Sequence, residues 1–124
     1  MYSQRLLDHF HDPSWAGDLE SASSVATAGN ATCGDVVQMA VEVHDGVIRE
    51  ARFRTLGCAI AIAASDALCD LVKGMPLYEA MLLTTTDLHT VLDGIPQDRT
   101  PCASGCLAAL RLALRGLGGL GSPS

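Results

Sequence analysis

Three cysteines in this chain stand where the sequence pattern changes, and each could act as a thiolate. Thr32-Cys33-Gly34-Asp35 sets a carboxylate two residues from a thiol, and a turn at Gly34 lets both reach one metal ion. Cys58 follows Gly57, where an alternating strand pattern stops and a helical one begins. Unpaired N–H groups and the positive end of a helix dipole stabilise a thiolate at such a place. Cys102 stands at the start of the last helical run. Three sulfurs and the Asp35 carboxylate can complete a tetrahedral zinc site or hold a cluster with one labile corner. Each cysteine is equally readable as a small core residue, and the sequence leaves both readings open.

The remaining candidates are weaker. Cys106 lies one helical turn after Cys102, so it could add a fourth ligand or resolve a persulfide, but a buried packing thiol is the favoured reading. Cys69 sits among Ile62, Ser65 and Val72 on a long helix and reads as packing. His9 and His11 fall near the end of a first helix, where surface or capping roles are expected. His44 is placed at a hairpin tip and His89 on a helix away from any thiol, both facing solvent. Arg52 and Arg54 share the strand face opposite Phe53, solubilising it or forming a positive rim for an anionic partner or sulfur donor.

Composition narrows the function class. A chain of 124 residues with 48% hydrophobic and 18% charged residues has enough apolar material for one core and is not disordered. A net charge of -6 disfavours binding to nucleic acid or anionic lipid, whose affinity rests largely on clustered Lys and Arg, and favours proteins or metals as partners. No charged leader with an apolar region opens the chain, and the apolar stretch from Cys106 to Leu120 is interrupted by Arg111 and Arg115. The expected location is therefore the cytoplasm, where five cysteines suit metal binding, catalysis or packing better than a disulfide framework.

The elements that must position the cysteines follow from periodicity. Tyr2 to His11 reads as a helix capped by Ser3, with Trp15 tucking the next turn against the core, and Ser24 to Ala28 as a weak strand. Val36 to Val43 and Val47 to Thr55 alternate, with Val47, Ala51 and Phe53 assigned to one face and Arg49 breaking the pattern near the tip. A three-residue loop, His44-Asp45-Gly46, pairs Val43 with Val47, Val37 with Phe53 and Asp35 with Thr55, and brings Cys33 beside Gly57 and Cys58. Helical spacing covers Ala59 to Lys73, stopped by Gly74. Short helices are expected from Pro76 to Leu83 and from Thr84 to Leu92, then a loop over Gly94 to Pro101 and a last helix from near Cys102. Its buried face carries Ala103, Leu107, Leu110 and Leu114. Residues 1–115 form one domain, and 116–124 form a tail of Gly, Leu and Ser.

Tyr2-Ser3 with Asp8-His9 and Pro13, then Cys33-Gly34-Asp35, then Ala51-Arg52-Phe53 leading to Gly57-Cys58, then Cys102, resemble the U-type iron-sulfur cluster assembly scaffolds, IscU and the N-terminal domain of NifU. The resemblance covers nearly the whole chain in the same order. It implies an α+β fold, a small antiparallel sheet of about three strands with helices packed on one face. It also implies assembly of a transient 2Fe-2S cluster from iron and from sulfur delivered as persulfide by a cysteine desulfurase, and transfer of that cluster to apo acceptor proteins. Cys33, Cys58 and Cys102 match the three scaffold cysteines, Asp35 the aspartate that tunes cluster lability or occupies the metal, and Cys102 the expected persulfide acceptor. The N-terminal segment with His9 becomes a candidate docking surface. Monomer and cluster-bridged dimer both remain compatible.

Two departures stand out. Pro101 occupies the place where such scaffolds carry histidine, which leaves Asp35 as the fourth ligand. Gly94 to Arg99 replaces the family's chaperone-recognition segment and weighs against chaperone handoff. The zinc-dependent sulfur acceptors of the SufU type also lack that histidine, but they carry an insertion for which the Cys58 to Cys102 separation leaves no room. The expected function is thus a scaffold and carrier, not a turnover enzyme. Its rivals are a zinc-bound sulfurtransferase and a purely structural zinc site whose loss would unfold the chain.

Overall fold

A computed structural model of the protein describes residues 2–30 and 34–117. The elements run α1 (Gln4–His11), β1 (Ser24–Asn30), β2 (Asp35–His44), β3 (Val47–Leu56), α2 (Ala59–Val72), α3 (Leu77–Ala80), α4 (Thr85–Val91), a 3-10 turn (Gln97–Arg99) and α5 (Thr100–Arg115). The strands form one antiparallel sheet in the order β1-β2-β3. Helices α2 and α5 pack on one face, α2 against β3 and α5 against β1 and β2, and α1 packs on α2. This is the α+β arrangement expected from the sequence.

The core forms where strand and helix periodicities meet. Val37, Met39 and Val41 of β2 and Ala51 and Phe53 of β3 point inward at every second position. They meet Ile60, Ala63, Ala64, Ala67 and Leu68 of α2, and Ala103, Leu107, Leu110 and Leu114 of α5. The alanines bring the helix backbones close to the sheet, and the leucines fill the space between. Truncating one of these leucines to alanine costs about 2–5 kcal/mol.

The hairpin differs from the sequence expectation in a way that matters for the site. Its turn contains two residues, not three: His44 pairs with Val47, and Asp45 and Gly46 take φ values of 53° and 76°. Such a left-handed pair twists with the strands, and an Asp-Gly dipeptide favours it. Arg49 is then left over as a bulge, because Glu42 pairs with Glu50 while Val43 pairs with Ile48. Beyond the bulge Met39 faces Phe53 and Val37 faces Thr55, so β3 is displaced by two residues from the expected pairing. An even displacement keeps every side chain on its expected face. At the tip the inward residue is Ile48, not Val47. The last pair at the open end is Val36 with Leu56, so Asp35 comes next to Gly57. Cys33 lies outside the described residues, as does residues 118–124 of the expected tail.

Loops complete the edge of β3. Phe53 donates its N–H to Trp15 O at 3.1 Å and accepts from Gly17 at 2.8 Å, and Ile48 exchanges similar bonds with Met75 and Gly74. The Trp15 ring lies between the Arg52 guanidinium, 5.3 Å from its centroid, and the Lys73 ammonium, at 4.9 Å. Helix α1 is capped by Ser3, whose hydroxyl accepts from Leu6 N–H and donates to Leu92 O. Thr84 and Asp87 form a reciprocal capping box at α4.

A buried carboxyl ties α1 and the Trp15 turn to α2. Asp66, 2% exposed, accepts the Trp15 N–H at 2.9 Å and lies 2.7 Å from His9 Nδ1. Removing it leaves a peptide N–H without its acceptor inside the fold. Asp66→Ala is expected to lower the unfolding free energy by about 2–4 kcal/mol in urea denaturation. Arg54→Ala, which breaks only the exposed ion pair with Asp18, is expected to leave the urea midpoint near that of wild type.

Candidate metal centre

The site is built from the starts of three elements. Asp35 is the first residue of β2, Cys58 caps the N-terminus of α2, and Cys102 is in the first turn of α5. Cys58 has extended backbone geometry, with φ of -75° and ψ of 170°, and its carbonyl accepts the Ile62 N–H that opens the helix. Pro101 fits the first turn of α5 because proline supplies the right φ and its missing N–H has no helical partner there. The His44 end of the hairpin carries no member of the site.

Ligand atoms from Asp35, Cys58 and Cys102 all lie within 4.8 Å of one another, and this is the one such His/Cys/Asp/Glu group among the described residues. Asp35 and Cys102 are each 2% exposed, and Cys58 is half-buried. The Asp35 carboxylate is oriented by Cys58: Oδ1 accepts the Cys58 N–H at 3.1 Å, and the Cys58 Sγ lies 3.7 Å from Oδ2. Two cysteine sulfurs and one carboxylate oxygen from three separate elements give a mixed soft and hard donor set, suited to zinc or iron. The helix N-termini at Cys58 and Cys102 place partial positive charge beside the sulfurs. Below the site, Thr55 and Ser65 hydroxyls meet at 3.0 Å, and Ser65 donates to Ala61 O, fastening the end of β3 to α2.

Residues 1–117 match the model of the NifU-like N terminal domain family. This chain belongs to that family. It is 37% identical over 114 residues to the iron-sulfur cluster assembly scaffold protein IscU 1 of Archaeoglobus fulgidus, covering 92% of this chain and 74% of the relative. Identity to the scaffold protein IscU of Aquifex aeolicus is 38% over 116 residues, with the same coverage of each chain. The fold is similar to the N-terminal NifU-like protein of Brucella abortus, with a TM-score of 0.77 at 19% identity over 93% of this chain and 92% of that one.

The other candidates take structural places in this NifU-like domain. Cys69 and Cys106 are buried, as read from the sequence. Cys69 Sγ lies 3.5 Å from Met39 Sδ, and Cys106 Sγ donates to Ala103 O at 3.2 Å. Neither belongs to the ligand group, so Cys106 does not take the place that Pro101 vacates. Burial raises the Cys69 thiol well above its ordinary range and pushes Cys106 up to about 12. His9 is engaged by Asp66, and His44 pairs with Glu42 at the hairpin tip. His89 is exposed, yet its Nδ1 accepts the Ile95 N–H. Arg54 is held by Asp18 through two bonds and Arg52 by Glu50 at 2.7 Å, so neither guanidinium stands as an unpaired positive rim.

The residue that sequence reasoning passed over is Asp66. Asp66 falls between Ala63 and Ala67 on the most apolar part of α2, and a carboxylate in that stripe is itself the signal of a partnered buried group.

In a Cys33→Ser, Cys58→Ser, Cys102→Ser triple variant, iodoacetamide at pH 8 is expected to label neither remaining thiol in the folded protein and both in denaturant, read by intact mass. The Cys106 thiol keeps its proton to about 12, against 9.0 for an ordinary thiol. Its contribution to stability is therefore complete below about pH 9 and lost as pH rises toward 12. Cys106→Ala is expected to flatten the fall in urea midpoint across that window.

Proposed function

We propose that this NifU-like domain is a scaffold on which an iron-sulfur cluster is assembled before transfer to an acceptor protein. The observation that carries the reading is the convergence of the Asp35, Cys58 and Cys102 ligand atoms within 4.8 Å at the starts of β2, α2 and α5. The two scaffold relatives support it. Cys33, close in sequence to Asp35, is assigned as the further thiolate ligand. The cluster is of the 2Fe-2S type, and zinc can occupy the same donors in isolated protein.

The chemistry is thiolate chemistry. A cysteine desulfurase presents a persulfide; the Cys102 thiolate attacks its outer sulfur, forming a new S–S bond as the donor S–S bond breaks and the donor cysteine leaves as thiolate. Two such sulfurs take up four electrons on becoming sulfide. Two ferrous ions that become ferric supply two of these, and an external electron donor supplies the other two. Asp35 contributes a hard oxygen among soft sulfurs, making one corner of the site weaker than the rest. Release is then a ligand exchange, which suits a carrier and not a turnover enzyme. The protein works in the cytoplasm, with a desulfurase and apo acceptors as partners.

Anaerobic reconstitution with ferrous iron, cysteine, dithiothreitol and a cysteine desulfurase is expected to give a 2Fe-2S spectrum by visible absorbance and Mössbauer spectroscopy. Cys33→Ser, Cys58→Ser and Cys102→Ser should each lose it, Cys106→Ser should keep it, and Asp35→Ala should slow transfer to apo-ferredoxin about tenfold or more. If wild type forms no cluster but its zinc form stimulates the desulfurase, the protein is a sulfur acceptor and not a scaffold.

A further inference from the structure

The Asp35 carboxylate reaches the Cys58 peptide across residue 57, and residue 57 is a glycine. A Cβ built there would stand 2.3 Å from Asp35 Oδ1, 2.7 Å from its Cγ and 3.0 Å from its Cβ. All three atoms belong to one side chain, the one that also accepts the Cys58 N–H. The main chain does not demand glycine here: the left-handed glycines are Gly17, Gly34, Gly46, Gly74 and Gly94, and Gly57 is not among them. An L-residue at 57 is therefore compatible with the backbone and incompatible with the present position of Asp35.

We propose that Gly57 is a positioning residue for Asp35: the missing side chain at 57 is the space through which the carboxylate docks on the Cys58 N–H and presents Oδ2 beside the Cys58 and Cys102 sulfurs. The docking fixes one carboxylate oxygen on the protein and leaves the other for metal. With a methyl group at 57, Asp35 rotates away, the Cys58 N–H loses its acceptor, and the metal loses its oxygen ligand. Gly57→Ala thus reproduces Asp35→Ala while leaving every ligand residue in the chain. This inference rests on the assignment of Asp35 as a ligand under the scaffold reading, but it requires neither sulfur nor a desulfurase.

The test is a double-mutant cycle with cobalt(II) on the full chain: wild type, Gly57→Ala, Asp35→Ala and the double variant. Cobalt affinity and the visible ligand-field bands are recorded anaerobically, and thermal unfolding is followed on the metal-free proteins. In the wild-type background Gly57→Ala should weaken cobalt binding about tenfold or more and shift the bands to those of Asp35→Ala. In the Asp35→Ala background it should change neither, and the unfolding cycle should show the same lack of additivity. A Gly57→Ala protein that fails to fold while the double variant folds has the same meaning, because removing Asp35 relieves the clash.

Equal loss in both backgrounds, a wild-type spectrum and affinity in Gly57→Ala, failure of both variants to fold, or no cobalt binding by wild type would each overturn the proposal. Since cobalt binding is read without cluster assembly, a failed reconstitution of iron and sulfur leaves this result standing.

Discussion

The hydrogen bond from the Cys58 N–H to Asp35 Oδ1 joins the first residue of β2 to the cap of α2, two points 23 residues apart in the chain. Its formation depends on several features at once. The hairpin register must end with Val36 opposite Leu56, residue 57 must carry no side chain, and the Thr55 and Ser65 hydroxyls must hold α2 against the end of β3. The bond orients the carboxylate of the Asp35, Cys58 and Cys102 group, and the cap places the Cys58 sulfur at the positive end of a 14-residue helix. Geometry at the site is thus a readout of sheet register.

Two chemical demands are separated in space by this arrangement. Under the proposed scaffold reading a cargo site needs ligands that can be exchanged, and the Asp35, Cys58 and Cys102 donor atoms stand at element ends, where chain direction changes and a carboxylate lies beside sulfurs. The fold needs thiols that do not exchange, so Cys69 and Cys106 are packed inside, one against Met39 and the other bonded to its own helix backbone. Burial keeps them protonated and out of competition for metal or persulfide. The same element distinguishes them: Cys102 and Cys106 lie on one helix, and only the one in its first turn joins the ligand group.

Much of this was legible in the sequence, and the failures have physical causes. The helical periods of α2 and α5, the Ser3 and Thr84 caps and the place of Cys58 at a strand-to-helix junction follow from local patterning, which survives in the folded chain. Register was read two residues off because alternation constrains pairing only to within an even shift; the turn must supply the rest. Asp45-Gly46 and the out-of-pattern Arg49 together encode a two-residue turn with a bulge, but each signal alone allows a longer loop. Asp66 was missed for a different reason: its partners, Trp15 N–H and His9, come from residues about fifty positions away, and helical periodicity carries no information about them. The assignment of Arg52 and Arg54 to the face opposite Phe53 was right, while their carboxylate partners come from a neighbouring strand position and a loop.

The bulge at Arg49 also sets how this hairpin can vary in length. Arg49 has no cross-strand partner and is exposed, so a chain lacking it would still pair Val43 with Ile48 and Glu42 with Glu50. Loss of any one residue between Glu50 and Leu56 is different: it would slide Gly57 past Asp35 and turn the start of α2 to the opposite face of the sheet. The hairpin tip can therefore lose Arg49 without moving the site, whereas the distance from Glu50 to Cys58 is held by the sheet register as a fixed ruler.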